Sequence, residues 1–480
     1  MIYAITIVVV TLILCGVTIV KTRSVKNKED FIVAGRTLAW PVLVFTLLSS
    51  WIGAGSLLAG AENAYRNGFA ALWQPAGGWL GLVVIALIAG KARSFAQFTV
   101  PDLFEARYNS TARILATISI VISYTVITSY QFIGGGDILH LIFPELPAWV
   151  GMCIIAGFVI IFTAAAGMAS IAYLDLFIGC MVTITVAVAV PVLLARAGGW
   201  HAVRAALPAT HFQPLGNLSF LQGLQLLLPT MLLLIGLQGM YQKFFSAKSE
   251  RDARVAVYGW IIGTIFLETL LVMLAVIASA MLKTDRPREI IALAAHNSLP
   301  PLLGAILMGG VFAKIISTAN NFLFSPATNL IHDVYERFIN RHATERQVLR
   351  FSRIIVIILG LFALLQAAQF ESVLEASLYA YTIYGAAVTP SLLAIFFWKR
   401  TTHQAAVVSI VSGTCITIIW KQLQHHAPQL LPFGPDIDAV YPALILSIAS
   451  LIIVSLLTPA PTAAQLALVE QAHDRSLHSA

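Results

Sequence analysis

The chain has 480 residues, of which 59% are apolar and 11% charged, with mean hydropathy +0.85 and formal net charge +7. A soluble domain carries about 25% charged residues, so this composition excludes a soluble catalytic or nucleic-acid-binding domain. The positive excess belongs to loops between membrane segments, not to a nucleic-acid partner.

Apolar runs near the roughly 20 residues that cross a bilayer recur at 2–20, 40–61, 69–90, 113–139, 147–166, 168–195, 221–242, 255–282, 301–330, 352–370, 377–398, 404–420 and 440–458. They predict an all-α integral membrane protein of thirteen spans forming one transporter domain over 1–480. The first run has no positive charge before it and no A-x-A site after it, while a basic cluster starts at Lys21. It therefore reads as a retained helix and not as a signal peptide. The second span contains Ser49-Ser50-Trp51-Ile52-Gly53-Ala54-Gly55-Ser56, poor in helix formers. Segment 91–113 reads as an amphipathic connection started by Thr99-Val100-Pro101-Asp102, and 196–220 is the longest outer loop. The seventh span carries Pro229, Gly236 and Gly239 with Gln225 and Gln238. Two interrupted spans five helices apart match an inverted repeat of five plus five helices with discontinuous members. Glycines that merely permit close helix packing are the bland alternative. Cys15, Cys153, Cys180 and Cys415 all fall in spans without C-x-x-C spacing and read as packing residues.

Orientation follows from the basic residues. With the N-terminus outside and the C-terminus inside, 21 of the 29 lysines and arginines fall in cytoplasmic segments and seven in outer ones, the positive-inside pattern. Lys314 belongs to neither side, being within the ninth span.

Ionisable groups at membrane depth are costly and mark function by default. The spans hold Asp175, Glu268 and Lys314, with Asp137 near the outer end of the fourth. Lys314, Ser317, Thr318 and Asn321 share one helical face, since residues three, four and seven apart align. That stripe reads as cavity-lining, although serine and threonine also bond back to their own helix carbonyls.

Several motifs fall in order on these helices: Phe31 to Arg36, Ala64-Tyr65 with Gly68, Thr99-Val100-Pro101-Asp102 with Arg107-Tyr108, Thr163 with Gly167 and Asp175, Gln242-Lys243 to Lys248, and Ile316-Ser317-Thr318 with Asp333-Val334-Tyr335. Together they resemble the sodium:solute symporter family. The resemblance implies a LeuT-type ten-helix core over about 40–398, with an extra N-terminal helix at 1–20 and two C-terminal helices at 404–458. It implies a principal sodium site from the carbonyls of Ser49 and Ile52, the carbonyl at Lys314, and the hydroxyls of Ser317 and Thr318, an oxygen set suited to a hard cation. Some members bind a further sodium through an aspartate matching Asp175. Lys314 stands where the family has a small residue, and Asn320 and Asn321 where it has hydroxyl or small ones; both departures count against the usual sodium coupling. The resemblance places Ser56, Gln74, Gln131, Gln238 and Glu268 around the solute cavity, where amides can read hydroxyls, amines and carbonyls; glutamines that only join helices are the alternative.

The expected function is a secondary active transporter, not an enzyme, moving a small polar organic solute across the bilayer by alternating access. Sodium is the coupled ion by resemblance, and Lys314, expected beside Asp175, opens sodium-independent or proton-coupled transport. No cofactor is expected. A proton-translocating antiporter-like pump subunit is the alternative; several buried lysines on successive helices would favour it. The compact loops point to a multi-pass plasma membrane protein, in a bacterium the inner membrane. Solute and oligomeric state are not encoded in any recognisable motif.

Overall fold

A computed structural model describes residues 1–22, 33–94, 99–165, 168–370, 372–432, 434, 436–462 and 466. Phe31, Ile32 and Gly167 of the motifs above, and the basic residues Arg23, Lys26, Lys28 and Arg475, lie outside them. Among the described residues the only β pairing is an isolated parallel bridge between Leu38 and Ala247.

The helices are α1 (Ile2–Thr22), α2 (Trp40–Trp51), α3 (Gly60–Asn67), α4 (Trp73–Ser94), α5 (Val100–Arg107), α6 (Ser110–Ile142), α7 (Ala148–Ala165), α8 (Met168–Arg196), α9 (Gly199–Ala206), α10 (Phe220–Gly236), α11 (Gln238–Ser246), α12 (Glu250–Met281), α13 (Ile290–Asn297), α14 (Pro301–Asn329), α15 (Glu345–Ala367), α16 (Val373–Ala387), α17 (Thr389–Phe397), α18 (His403–His426) and α19 (Val440–Leu457). Their starts follow local chemistry. Thr99 and Asp102 form a reciprocal capping box on α5, Ser219 and Gln222 one on α10, and Thr344 and Gln347 one on α15.

Among the described residues, twelve stretches are long and apolar enough to cross a membrane. The expected second span is not one of them as a unit, because it is broken in two. Its first half, α2, has only 12 residues. Its second half continues through Gly68, at φ 63, into α4. A Cβ at Gly68 would also collide with the backbone of His211, so segment 196–220 is seated on this reversal.

One hydrophobic core runs from Ile7 to Ile410. Helix α14 lies at its centre, packed against α1, α6, α7 and α8, whereas α18 and α19 pair with each other and lean on α16. Large apolar side chains such as Leu12, Ile262, Leu365 and Leu456 point outward and exposed. An apolar exterior is what lipid contact requires. Cys153 and Cys415 are on that exposed side, whereas Cys15 and Cys180 are partly buried.

Both interruptions expected from glycine content are present. After α2, Ile52 is extended (φ −85, ψ 112), and a π-helical turn, Gly55–Ala59, leads into α3. Between α10 and α11, Leu237 leaves helical geometry (φ −57, ψ 104). A Cβ on Gly53 would come within 2.6 Å of Thr318 Cγ2 and 2.8 Å of its Cβ. The first break therefore touches α14 through a residue that tolerates no side chain. Gly53→Ala is expected to lower unfolding stability in detergent by about 1–3 kcal/mol through overpacking; an unchanged melting temperature would contradict that contact.

Candidate solute and cation site

Each break frees backbone groups that must find partners away from water. At the first, the Ala54 amide donates to Gln131 Oε1 at 2.9 Å, and the Thr318 hydroxyl donates to the carbonyls of Ile52 (3.1 Å) and Ser49 (3.5 Å). At the second, the Tyr384 hydroxyl donates to the Gly236 carbonyl at 2.6 Å and accepts from the Gln238 amide at 3.1 Å. The Gly239 amide donates to the Tyr124 hydroxyl at 3.2 Å, and the Gln238 side-chain oxygen accepts from the Val100 amide.

Where the resemblance implied a principal sodium site, the oxygens are close but engaged. Thr318 spans the two carbonyls of the break, while Ser317 on the same helix donates to Asp175 Oδ1. Asp175 is fully buried and is the hub of this region. Its Oδ2 accepts from Thr46 Oγ1 (2.7 Å), Ser50 Oγ (3.3 Å) and Asn321 Nδ2 (3.3 Å). Its ion pair is with Lys243, whose Nζ is 3.9 Å from Oδ2 and also donates to Ser50 and, at 2.8 Å, to Asn321 Oδ1. Asn320 is turned aside, accepting from Thr163 at 2.9 Å.

This corrects two expectations. Lys243 does not sit in a cytoplasmic loop; it is fully buried on α11. Lys314 is fully buried too, but it is not the lysine bound to Asp175: its Nζ has no hydrogen-bond partner among the described residues, and its electrostatic neighbours are Asp175 and Lys243. Sequence reasoning missed Lys243 because it stands at the end of a span, where lysine usually snorkels to water. The available signal was its neighbours, Tyr241 before it and Phe244-Phe245 after it, which leave little polar surface around the ammonium.

A small cavity, about 20 Å³, lies beside the first break. Ser56, Gln74 and Glu268 line it, together with Trp51, Thr230 and Tyr381. Gln131 and Gln238, expected there as well, do not reach it; both are committed to the breaks just described. The first break borders the cavity through Trp51 and Ser56, whereas α10 contributes Thr230, half a helix away from its own break.

At the basic end of the bundle the helices are tied by charge. Arg113 pairs with Asp102 (2.8 Å), Glu105 and Asp333, and Thr99 Oγ1 donates to Asp333 at 2.9 Å. Arg107 donates to the carbonyls of Lys399 and Thr401, locking α5 to the end of α17. Asp102, His332 and Asp333 have ligand atoms close enough for a metal, but the Arg113 guanidinium already meets both carboxylates, which makes the cluster an ion-pair network. Asp137 likewise is paired, 2.9 Å from Arg288 Nε.

The chain matches the sodium:solute symporter family over residues 31–413. It belongs to that family. The symporter is 25% identical over 464 residues to a sodium/proline symporter of Staphylococcus aureus, the match covering 91% of this chain and 89% of that one. Among solved structures it is similar to a sodium-coupled sialic acid symporter in a substrate-bound outward-open state (TM-score 0.78, 15% identity, 96% and 99% of the two chains). It is also similar to a nucleobase-cation-symport-1 family transporter in a closed conformation (TM-score 0.58, 11% identity, 93% and 99%). These likenesses make the fold LeuT-like. The symporter is thus a secondary active transporter of the plasma membrane, multi-pass and not an enzyme. The second buried lysine does not revive a pump subunit, because the two lysines converge on one carboxylate instead of spacing along a path, and the family is one of symporters.

Proposed function

We propose that this symporter carries a small polar organic solute by alternating access through the cavity lined by Ser56, Gln74 and Glu268, driven by protons and not by sodium. The supporting observation is the pair of ammonium groups, Lys243 and Lys314, buried around the single carboxylate of Asp175. A sodium ion entering there would meet more positive charge than negative, and no hydroxyl of the expected set is idle. An ammonium can release and regain a proton, so Lys314 offers the charge change that a coupled ion would otherwise supply. The solute site rests on the cavity and its polar lining, the cation region on Ser49, Ile52, Ser317, Thr318 and Asp175. The ten-helix core over 40–398, the flanking helices, and an outside N-terminus with an inside C-terminus belong to the same proposal.

A second reading keeps sodium. The Thr318 hydroxyl lies 3.1 Å from the Ile52 carbonyl and 3.5 Å from that of Ser49, an all-oxygen cluster of the kind hard cations use. Relatives named for sodium and proline, or sodium and sialic acid, are in line with it. The test is uptake into proteoliposomes of labelled sugars, amino acids, carboxylates and nucleobases, with and without sodium and with imposed pH gradients. Uptake driven by an inward proton gradient in sodium-free buffer is expected. Uptake that stops without sodium would replace the proton reading with the sodium one.

A further inference from the structure

The chemistry of the cavity is one-sided. Glu268 is 3% exposed, and its carboxylate is held only by neutral donors: Trp51 Nε1 and Trp79 Nε1 at 2.8 Å each, and Ser56 Oγ at 3.4 Å. No ion pair among the described residues involves it. The other buried carboxylates among the described residues, Glu62, Asp102, Asp137, Asp175, Glu289 and Asp333, each have a lysine or arginine. The side-chain oxygen of Gln74, a residue 5% exposed on the same cavity, has no hydrogen-bond partner among the described residues. Trp51 and Tyr381 are stacked at 6.4 Å and both line the space.

A carboxylate without a counter-ion, a vacant acceptor and aromatic rings all complement one kind of group. A positively charged nitrogen would pair with the carboxylate and be attracted to the ring π-electrons. An anionic solute would face Glu268 with no cation to offset the repulsion, and a neutral one would leave the carboxyl to be neutralised by a proton alone.

We propose that the solute bears an ammonium group, primary to quaternary, and that Glu268 is the specificity-determining carboxylate that receives it, with Trp51 and Tyr381 beside the nitrogen. This rests on the cavity being the solute site. Glu268 also holds Trp51, which ends α2 at the first break, so neutralising this carboxylate on solute binding bears directly on the segment that alternating access must move.

The test uses the purified full chain and follows tryptophan fluorescence, to which Trp51 and Trp79 contribute. The probes are choline, glycine betaine and dimethylbutanol, the uncharged carbon isostere of choline. At least one ammonium probe is expected to bind about tenfold or more tightly than the isostere, as a desolvated cation–π and ion-pair contact requires; choline winning over glycine betaine marks a plain cation, the reverse a zwitterion. Glu268→Gln is expected to abolish that preference, and Glu268→Asp to retain part of it, which keeps the test open should the glutamine variant misfold. Equal binding of ammonium and isostere, no binding of any ammonium probe at millimolar concentration, or an undiminished preference in folded Glu268→Gln would each overturn the proposal. Uptake of a sugar or carboxylate in the solute panel above, with no ammonium binding, would overturn it while leaving the transport reading standing.

Discussion

Lys314→Ala is expected to make uptake sodium-dependent and to remove its response to a proton gradient, whereas the wild-type symporter keeps its rate in sodium-free buffer. The reason is electrostatic. Two unit charges of like sign about 4 Å apart repel by about 4 kcal/mol at an effective dielectric near 20, roughly a thousandfold in cation affinity. Lys314 is buried on the helix that carries Ser317 and Thr318, its ammonium has no hydrogen-bond partner among the described residues, and its electrostatic neighbours are Asp175 and Lys243. Removing it leaves Asp175 balanced by Lys243 alone and leaves the oxygen cluster of the break uncharged. Initial rates against sodium concentration at two pH values, for both proteins, measure the effect. Strict sodium dependence in the wild type, or none in the alanine variant, would refute the role given to Lys314.

The second large effect concerns the Asp175–Lys243 pair. Breaking a buried ion pair by deleting one partner costs about 3–5 kcal/mol, because the survivor is left charged without compensation. The two deletions should not be equal here. In Lys243→Met, Asp175 still has Lys314 as an electrostatic neighbour. In Asp175→Asn, two ammonium groups are left with no carboxylate, and Thr46, Ser50, Ser317 and Asn321 lose the charged acceptor they share. Asp175→Asn should therefore be the more damaging, and the double variant should recover part of the loss. Thermal unfolding in detergent of the four proteins of this cycle is the measurement. Additive losses would mean that the pair is not coupled in the way its geometry implies.

Much of this protein was legible in its residues because the membrane imposes strong rules on composition. Long apolar runs state that helices cross a bilayer, since unpaired backbone groups are not tolerated in lipid. Glycine and proline at two spans state where the helices break, and a lysine in an apolar stretch announces itself by its cost. The family motifs added the fold. What the sequence could not convey is where side chains point once helices pack. Gln131, Gln238 and Gln74 are alike as amides at membrane depth, yet two of them serve the backbone of the breaks and only Gln74 faces the cavity. Lys243 and Lys314 are both lysines near apolar runs, and only the approach of α11 to α8 and α14 decides that the first takes Asp175 and the second is left without a hydrogen bond. Glu268 was marked by its charge, but that its carboxylate is held by two indoles and no cation follows from the packing of α2, α4 and α12. Helix identity is local, set by hydropathy and turn chemistry along a few residues; charge pairing is set by contacts between residues tens to hundreds apart, and only the tertiary structure brings them together.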